Sequence, residues 1–203
     1  MRRKLTLLLV LALTLVPLAG PAAADDGPTI TDIAVGDGTF DKNGADFDIL
    51  AAAVVATGLD STLATPDLGV TVFAPVDFAF RRLVRDLGGP WKAPEADVAT
   101  WLVENVGAET IESVLLYHVV AGEVYSSDVV PGLQGVDVPT LLGPTFQVFI
   151  QYEKGTDDLK AIWLRDQDHD DANAQLVLSG LDIQASNGVI HVINRVMRPV
   201  DLP

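Results

Sequence analysis

Asn187-Gly-Val-Ile-His-Val-Ile-Asn-Arg-Val-Met-Arg-Pro199 decides the architecture of this chain. Val189 to Val196 is a mainly β-branched apolar run that also holds His191, Asn194 and Arg195, and it is opened by Asn-Gly. Asn-Gly between apolar runs is a strong short hairpin signal, because both residues tolerate positive φ. Working back, Leu181 to Gln184 and Leu176 to Leu178 are further short strand patterns. Phe146 to Tyr152 and Leu159 to Leu164 flank Glu153 to Asp158, a Gly- and Asp-bearing hairpin signal. After Gly122 the chain is therefore mostly strand.

The first half carries the other period. Phe47, Leu50, Ala51, Val54, Val55 and Leu59 keep near-helical spacing after Asp46, which suits an N-cap, and Gly58 ends the run. Val70 to Ala74 is a short strand stopped by Pro75. Asp77 then opens a helix with Phe80, Leu83, Val84 and Leu87 at i, i+3, i+4 and i+7, closed by Gly88-Gly89. Asp97 is expected to cap a helix containing Trp101 and Leu102, and Thr110 to open the helix holding Tyr117-His118. Helices first and strands second give an α+β domain rather than a doubly wound parallel sheet.

Residues 1–24 read as an export signal, with Arg2-Arg3-Lys4, the apolar stretch Leu5 to Leu18 and the small residues Ala22 to Ala24. The apolar stretch is shorter than the ~20 residues of a membrane span and is followed by Gly20. Residues 25–29 form a short tail and 30–200 one domain, with no stable membrane insertion after cleavage. The chain has no cysteine, so disulfides and thiolate metal sites are excluded and packing alone must hold the fold. Of 13 basic and 28 acidic residues, cleavage removes three basic ones, leaving 10 − 28 = −18 on 179 residues. That sign opposes binding to nucleic acid or anionic lipid.

Three islands, Thr71-Val-Phe-Ala-Pro-Val-Asp-Phe-Ala-Phe80, Val114-Leu-Leu-Tyr-His-Val-Val120 and the C-terminal stretch above, occur in the order and spacing of a fasciclin domain. The chain resembles that family over about Ile30 to Pro199. Val76 stands where the family usually has Thr, and Asn194 where it commonly has Asp. The resemblance implies a strand wedge or sandwich with helices packed around it. It also implies a secreted, non-catalytic adhesion or interaction module, with a cell-surface or matrix protein or glycan as partner. Tyr117 and His118, with Asp77 as support, become the expected contact strip. On spacing alone, His118 falls on the apolar face of its helix, the usual place of a core histidine holding one hydrogen bond. Asp77 has the position of a helix cap, and His191 that of a strand histidine paired with a polar neighbour.

Asp166-Gln-Asp-His-Asp-Asp171 offers alternate carboxylates, Asp166, Asp168 and Asp170, that could meet Ca²⁺, but it lacks the Gly and Glu of an EF-hand loop. Its plainer reading is a solvated hairpin tip; Phe149 to Ser179 is longer than the corresponding stretch of the family it resembles, which makes Tyr152 to Ala174 an embellishment. Arg81, Arg82 and Arg85 lie on the polar side of their helix. No hydrolase elbow, H-E-x-x-H, P-loop or dinucleotide fingerprint is present, so no cofactor is expected. Two other readings stay open: a carrier holding a small apolar ligand in a closed pocket, and a polysaccharide-active enzyme working with carboxylates alone.

Overall fold

The computed structural model describes residues 27–36, 39–128, 134–156, 158–169, 171–200 and 202. The export signal, Asp25 and Asp26 of the tail, and Asp170 lie outside these residues. Six helices are described: α1 (Ile30–Val35), α2 (Asp48–Thr57), α3 (Asp60–Leu63), α4 (Asp77–Asp86), α5 (Glu95–Asn105) and α6 (Ala108–Tyr117). The strands are β1 (Val70–Pro75), β2 (Val119–Ala121), β3 (Asp137–Pro139), β4 (Thr145–Tyr152), β5 (Leu159–Arg165), β6 (Ala174–Gln175), β7 (Ile183–Ala185) and β8 (Gly188–Ile193). The α+β expectation holds, with helices early and strands late. None of the described helices is long and apolar enough to cross a membrane.

Two four-stranded sheets form, in the orders β2-β1-β8-β7 and β3-β4-β5-β6. In the first, β1 and β8 run parallel with Val70 opposite Gly188, and β2 and β7 flank them antiparallel. The second is an antiparallel meander, and a bridge between Leu176 and Ile193 joins the two. Every residue of β1 and of β8 is buried. The period of two sorts them: Val70, Val72, Ala74, Ile190 and Val192 pack with the helices, while Phe73 and Ile193 pack with Phe146, Ile162 and Leu164 of the second sheet. The first sheet is thus the middle layer of three. A strand covered on both faces reads as a near-continuous apolar run, which is how β8, broken by His191, announces itself.

The middle layer buries two polar side chains, and each has its bonds met. Thr71 Oγ1 donates to Gly122 O at 2.7 Å and accepts from Val124 N–H at 2.8 Å. His191 Nδ1 accepts from Asp182 N–H at 3.2 Å, so Nε2 carries the proton and donates to Val124 O at 2.8 Å. These bonds stitch the chain after β2 onto β1 and β8.

Several boundaries differ from the sequence expectation. Phe47, not Asp46, is the N-cap of α2, Pro94 precedes α5 so that Asp97 lies inside it, and α6 begins at Ala108 before Thr110. The predicted hairpin between β7 and β8 forms with Ser186-Asn187 as its loop, one residue earlier than Asn187-Gly188. Asn187 is almost fully buried and works as a staple: Oδ1 accepts from Ile30 N–H at 2.8 Å and Nδ2 donates to Leu63 O at 2.7 Å and Thr65 O at 2.9 Å. Gly188 has its own reason, since a Cβ there would be driven into the Val70 carbonyl oxygen across the parallel pair. Within Tyr152 to Ala174, β5 takes part in the core through Ala161, Ile162 and Leu164, so the stretch is not wholly a surface addition.

The obstacle at Gly188 is backbone and cannot swing away. Gly188→Ala should therefore cost about 3 kcal/mol of stability, as overpacking does at rigid sites, read from urea unfolding; an unchanged midpoint would contradict the register of β1 on β8.

Candidate functional site

Tyr117 and His118 are both inside the domain, with 0% and 2% of their surfaces exposed. Helix α6 ends at Tyr117, and His118 follows as its C-cap. The two side chains consequently diverge into different layers. Tyr117 enters the core between the sheets, edge-on to Phe146 with ring centroids 6.4 Å apart, and its hydroxyl donates to Thr145 O at 2.8 Å. His118 Nε2 accepts from Met197 N–H at 2.9 Å, so Nδ1 holds the proton and donates to Val114 O at 2.7 Å. Its carbonyl accepts from Phe73 N–H at 2.9 Å. The expected contact strip is a brace: buried in this way, neither side chain is available to a partner.

Asp77 is also completely buried, and its role differs from that expected. Its carboxylate caps the neighbouring helix, Oδ1 accepting from Ile49 N–H of α2 at 2.9 Å. The first amides of its own helix donate instead to carbonyls of the preceding loop, Asp77 N–H to Asp46 O at 3.0 Å and Phe78 N–H to Gly44 O at 2.9 Å. The N-termini of α2 and α4 therefore point at one place, and each is satisfied by the other's segment.

Carboxylates gather there. Asp48, Asp77 and Glu95 each bring an oxygen within 4.8 Å of the others, and Asp41, Asp46 and Asp48 do the same further out. Glu95 is 1% exposed; it accepts from Asp41 N–H at 3.1 Å and pairs with Arg81 at 3.3 Å. Burial, with Asp46 and Glu95 close by, pushes the Asp77 carboxyl up to about 8 against the lowering effect of the Ile49 amide, and burial and Asp46 also raise Asp48. Like charges ~4 Å apart repel by about 4 kcal/mol at an effective dielectric of ~20. This group was missed in the sequence because its members come from three segments.

Of the Ca²⁺ candidates, Asp166 and Asp168 are buried, unlike residues of a solvated tip. Asp166 accepts from the Arg198 N–H at 2.8 Å, and the Arg198 guanidinium reaches Asp168 at 2.8 Å, Asp86 at 3.6 Å and also Asp171. The positive charge facing Asp166 and Asp168 is thus an arginine of this chain. Burial still lifts the Asp166 carboxyl to about 6, partly offset by the Arg198 amide.

On the outer side of α4 lies a groove of about 650 Å³ between that helix and the loop before α5. Phe78 and Trp91 are exposed along it by 54% and 39%, and Lys42, Arg81, Arg82, Arg85 and Lys92 border it. Arg81 is fixed by bonds to Trp91 O at 2.9 Å and Ala93 O at 2.7 Å besides Glu95, and Arg82 by Asn194 O at 2.6 Å. The Lys92 ammonium sits 4.8 Å from the Trp91 ring. Gly44 lies so close to Phe78 that a Cβ would strike the ring at 2.8 Å. The three arginines are therefore neither a simple solvated face nor all free: Arg81 and Arg82 build the groove wall, and Arg85 pairs with Asp86 at the surface.

The two apolar cavities next to the cores have volumes of about 40 and 50 Å³, well under the ~300 Å³ of a small-molecule site.

A sequence model of the fasciclin domain matches residues 45–199. The chain belongs to the fasciclin family. Two proteins of Synechocystis sp. (strain ATCC 27184 / PCC 6803 / Kazusa) are similar to it. Protein sll1483 is 30% identical over 178 residues, covering 88% of this chain and 77% of that one. The uncharacterized protein sll1735 is 30% identical over 175 residues, covering 84% and 97%. In three dimensions the chain is similar to the FAS1 domain pair from the insect cell adhesion molecule Fasciclin I, with TM-score 0.57 and 16% identity. The match covers 83% of this chain and spans half the length of that pair.

Two measurements test the braces. His118 is held near pKa 4 in the fold, below its ordinary 6.5, chiefly by burial. The unfolded chain then binds the extra proton between these values, so the histidine's contribution is complete above pH 6.5 and falls by about 3 kcal/mol as pH drops to 4. Asp77 and Asp166, being raised, act in the opposite sense, so the informative quantity is the stability difference between the native chain and His118→Gln; it should shrink on acidification across that window. Arg198→Met should lose about 3–5 kcal/mol at neutral pH by leaving Asp168 buried without its cation, measured by denaturant titration.

Proposed function

We propose that the chain is an exported, non-catalytic interaction module that docks an acidic cell-surface or matrix component in the groove along α4. The observation that carries this reading is the pairing of exposed aromatic rings with a basic border on a protein of net charge −15. Phe78 and Trp91 supply apolar anchors, held in fixed positions by Gly44 and by the Arg81 bonds. Lys42 and Lys92 supply charge at the rim. Aromatic and arginine anchors of this kind usually dominate interface energy, while rim charges set the rate of encounter.

Membership of the fasciclin family supports the reading, since fasciclin domains occur in extracellular and cell-surface proteins and the family is generally non-catalytic. The most perturbed carboxyls, Asp77 and Asp166, are sealed inside the domain, where no polysaccharide could reach them. The small size of the apolar cavities weighs against a carrier of apolar ligands. Tyr117 and His118 serve docking indirectly, by holding the layers on which α4 rests.

Saturation binding of residues 25–203 to cells and to isolated envelope or matrix fractions tests the reading. The native protein should bind saturably, and more weakly as salt rises. Trp91→Ala should weaken binding by about 30-fold, a hot-spot loss, and Lys42→Glu with Lys92→Glu should slow association, with circular dichroism unchanged. Binding that is unaltered in the Trp91 variant would place the docking surface elsewhere.

A further inference from the structure

The carboxylates of Asp48, Asp77 and Glu95 come from the first turn of α2, the first turn of α4 and the start of α5, so three different elements aim acids at one point. Their oxygens lie within 4.8 Å of one another. Oxygens that close can all reach one hard cation whose oxygen ligands sit at ~2.4 Å. The donor set is oxygen only, which disfavours zinc and copper. Arg81 pairs with Glu95, and among the described residues no Lys or Arg forms an ion pair with Asp48 or Asp77.

An independent observation points the same way. Asp77 has no exposed surface, yet while Oδ1 caps α2, no N–H donates to its Oδ2, and the polar side chain beside its carboxyl is another acid, Asp46. Asp48 Oδ2 and Asp46 Oδ1 are likewise buried atoms without a donor. Buried carboxylate oxygens are normally satisfied, and orphans gathered at one place mark a missing positive partner. Among the described residues, the loop at Arg198 is the contrast: there an arginine already faces the acids. The outer trio, Asp41, Asp46 and Asp48, runs from exposed to half-buried and gives a route inward.

We propose that Asp48, Asp77 and Glu95 form a binding site for one Ca²⁺, with Asp46 beside it. The ion would clamp the loop before α2 onto the starts of α4 and α5. It goes beyond the docking reading and does not depend on it, although Glu95 and Asp41 also border the groove.

The test uses residues 25–203 stripped with EDTA and titrated with CaCl₂, read by calorimetry and thermal unfolding. One ion should bind per chain, and Tm should rise by about 5–10 °C at ~100-fold excess over Kd. Asp48→Asn keeps the size of a half-buried side chain; it should lose at least tenfold in Ca²⁺ affinity while matching or exceeding the native Tm in EDTA. No heat and no shift up to about 10 mM Ca²⁺, tenfold above the weak extracellular range, would overturn the proposal and leave a proton shared among these carboxyls as the missing positive charge. Unchanged one-to-one binding in Asp48→Asn would overturn it also, by placing the ion elsewhere.

Discussion

His118 is where three distant parts of the chain are made to agree. Its ring joins α6 to the segment after β8 through Val114 and Met197, and its carbonyl holds the middle of β1 through Phe73. The bonds to Met197 and Phe73 are short in space and long in sequence, and those of the ring need the imidazole neutral and in one tautomer. Tyr117, one residue earlier, does the same for the outer sheet through Thr145. With both in place, β1 and β8 can be covered on two faces without leaving a polar atom of the junction unpaired. The cost of losing such a group is the stranding of its partners in a dry interior, which exceeds the worth of the bond itself.

The parts legible in the sequence were those with a period. Val189 to Val196 and Val70 to Ala74 read as strands because both faces are largely apolar, although β8 ends at Ile193, and Phe80, Leu83 and Val84 read as a helix because one face is. The short helices α1 and α3 were not expected, since six and four residues are too few to show a stripe. Asp77 looked like the cap of its own helix; nothing local says that the loop carbonyls of Gly44 and Asp46 do that work and free the carboxylate to cap α2. The loop at Asp166 looked solvated because Arg198, which draws it in, lies far along the chain. Trp91, in the short turn between Pro90 and Pro94, belongs to no period at all, so the groove it lines had no signature beyond the arginines of α4.

The buried polar side chains of this fold act as joints between layers. Thr71, Asn187, His191 and Asn194 each bond to backbone of another segment, with Asn194 Oδ1 accepting from Gln175 N–H at 3.0 Å while its own N–H donates to Gln175 O at 3.1 Å. That double contact uses a side-chain oxygen and a backbone N–H, so Asn194 makes it without bringing a charge into the junction. In a chain without cysteine, these bonds fix the relative placement of layers that hydrophobic packing alone would leave free to slide.

The parallel register of β1 on β8 has a bearing on the order of events during synthesis. Val70 and Gly188 are 188 − 70 = 118 residues apart, so the central pair of the middle sheet cannot close until almost the entire domain has left the ribosome. Until then β1 has only its antiparallel neighbour β2, and the helices have half a sheet to lie on. Closing so long a loop is entropically slow, and non-local strand pairing delays folding further. A nascent chain of this design stays loose until its last strand is made, the condition in which a polypeptide can still be threaded through a narrow channel.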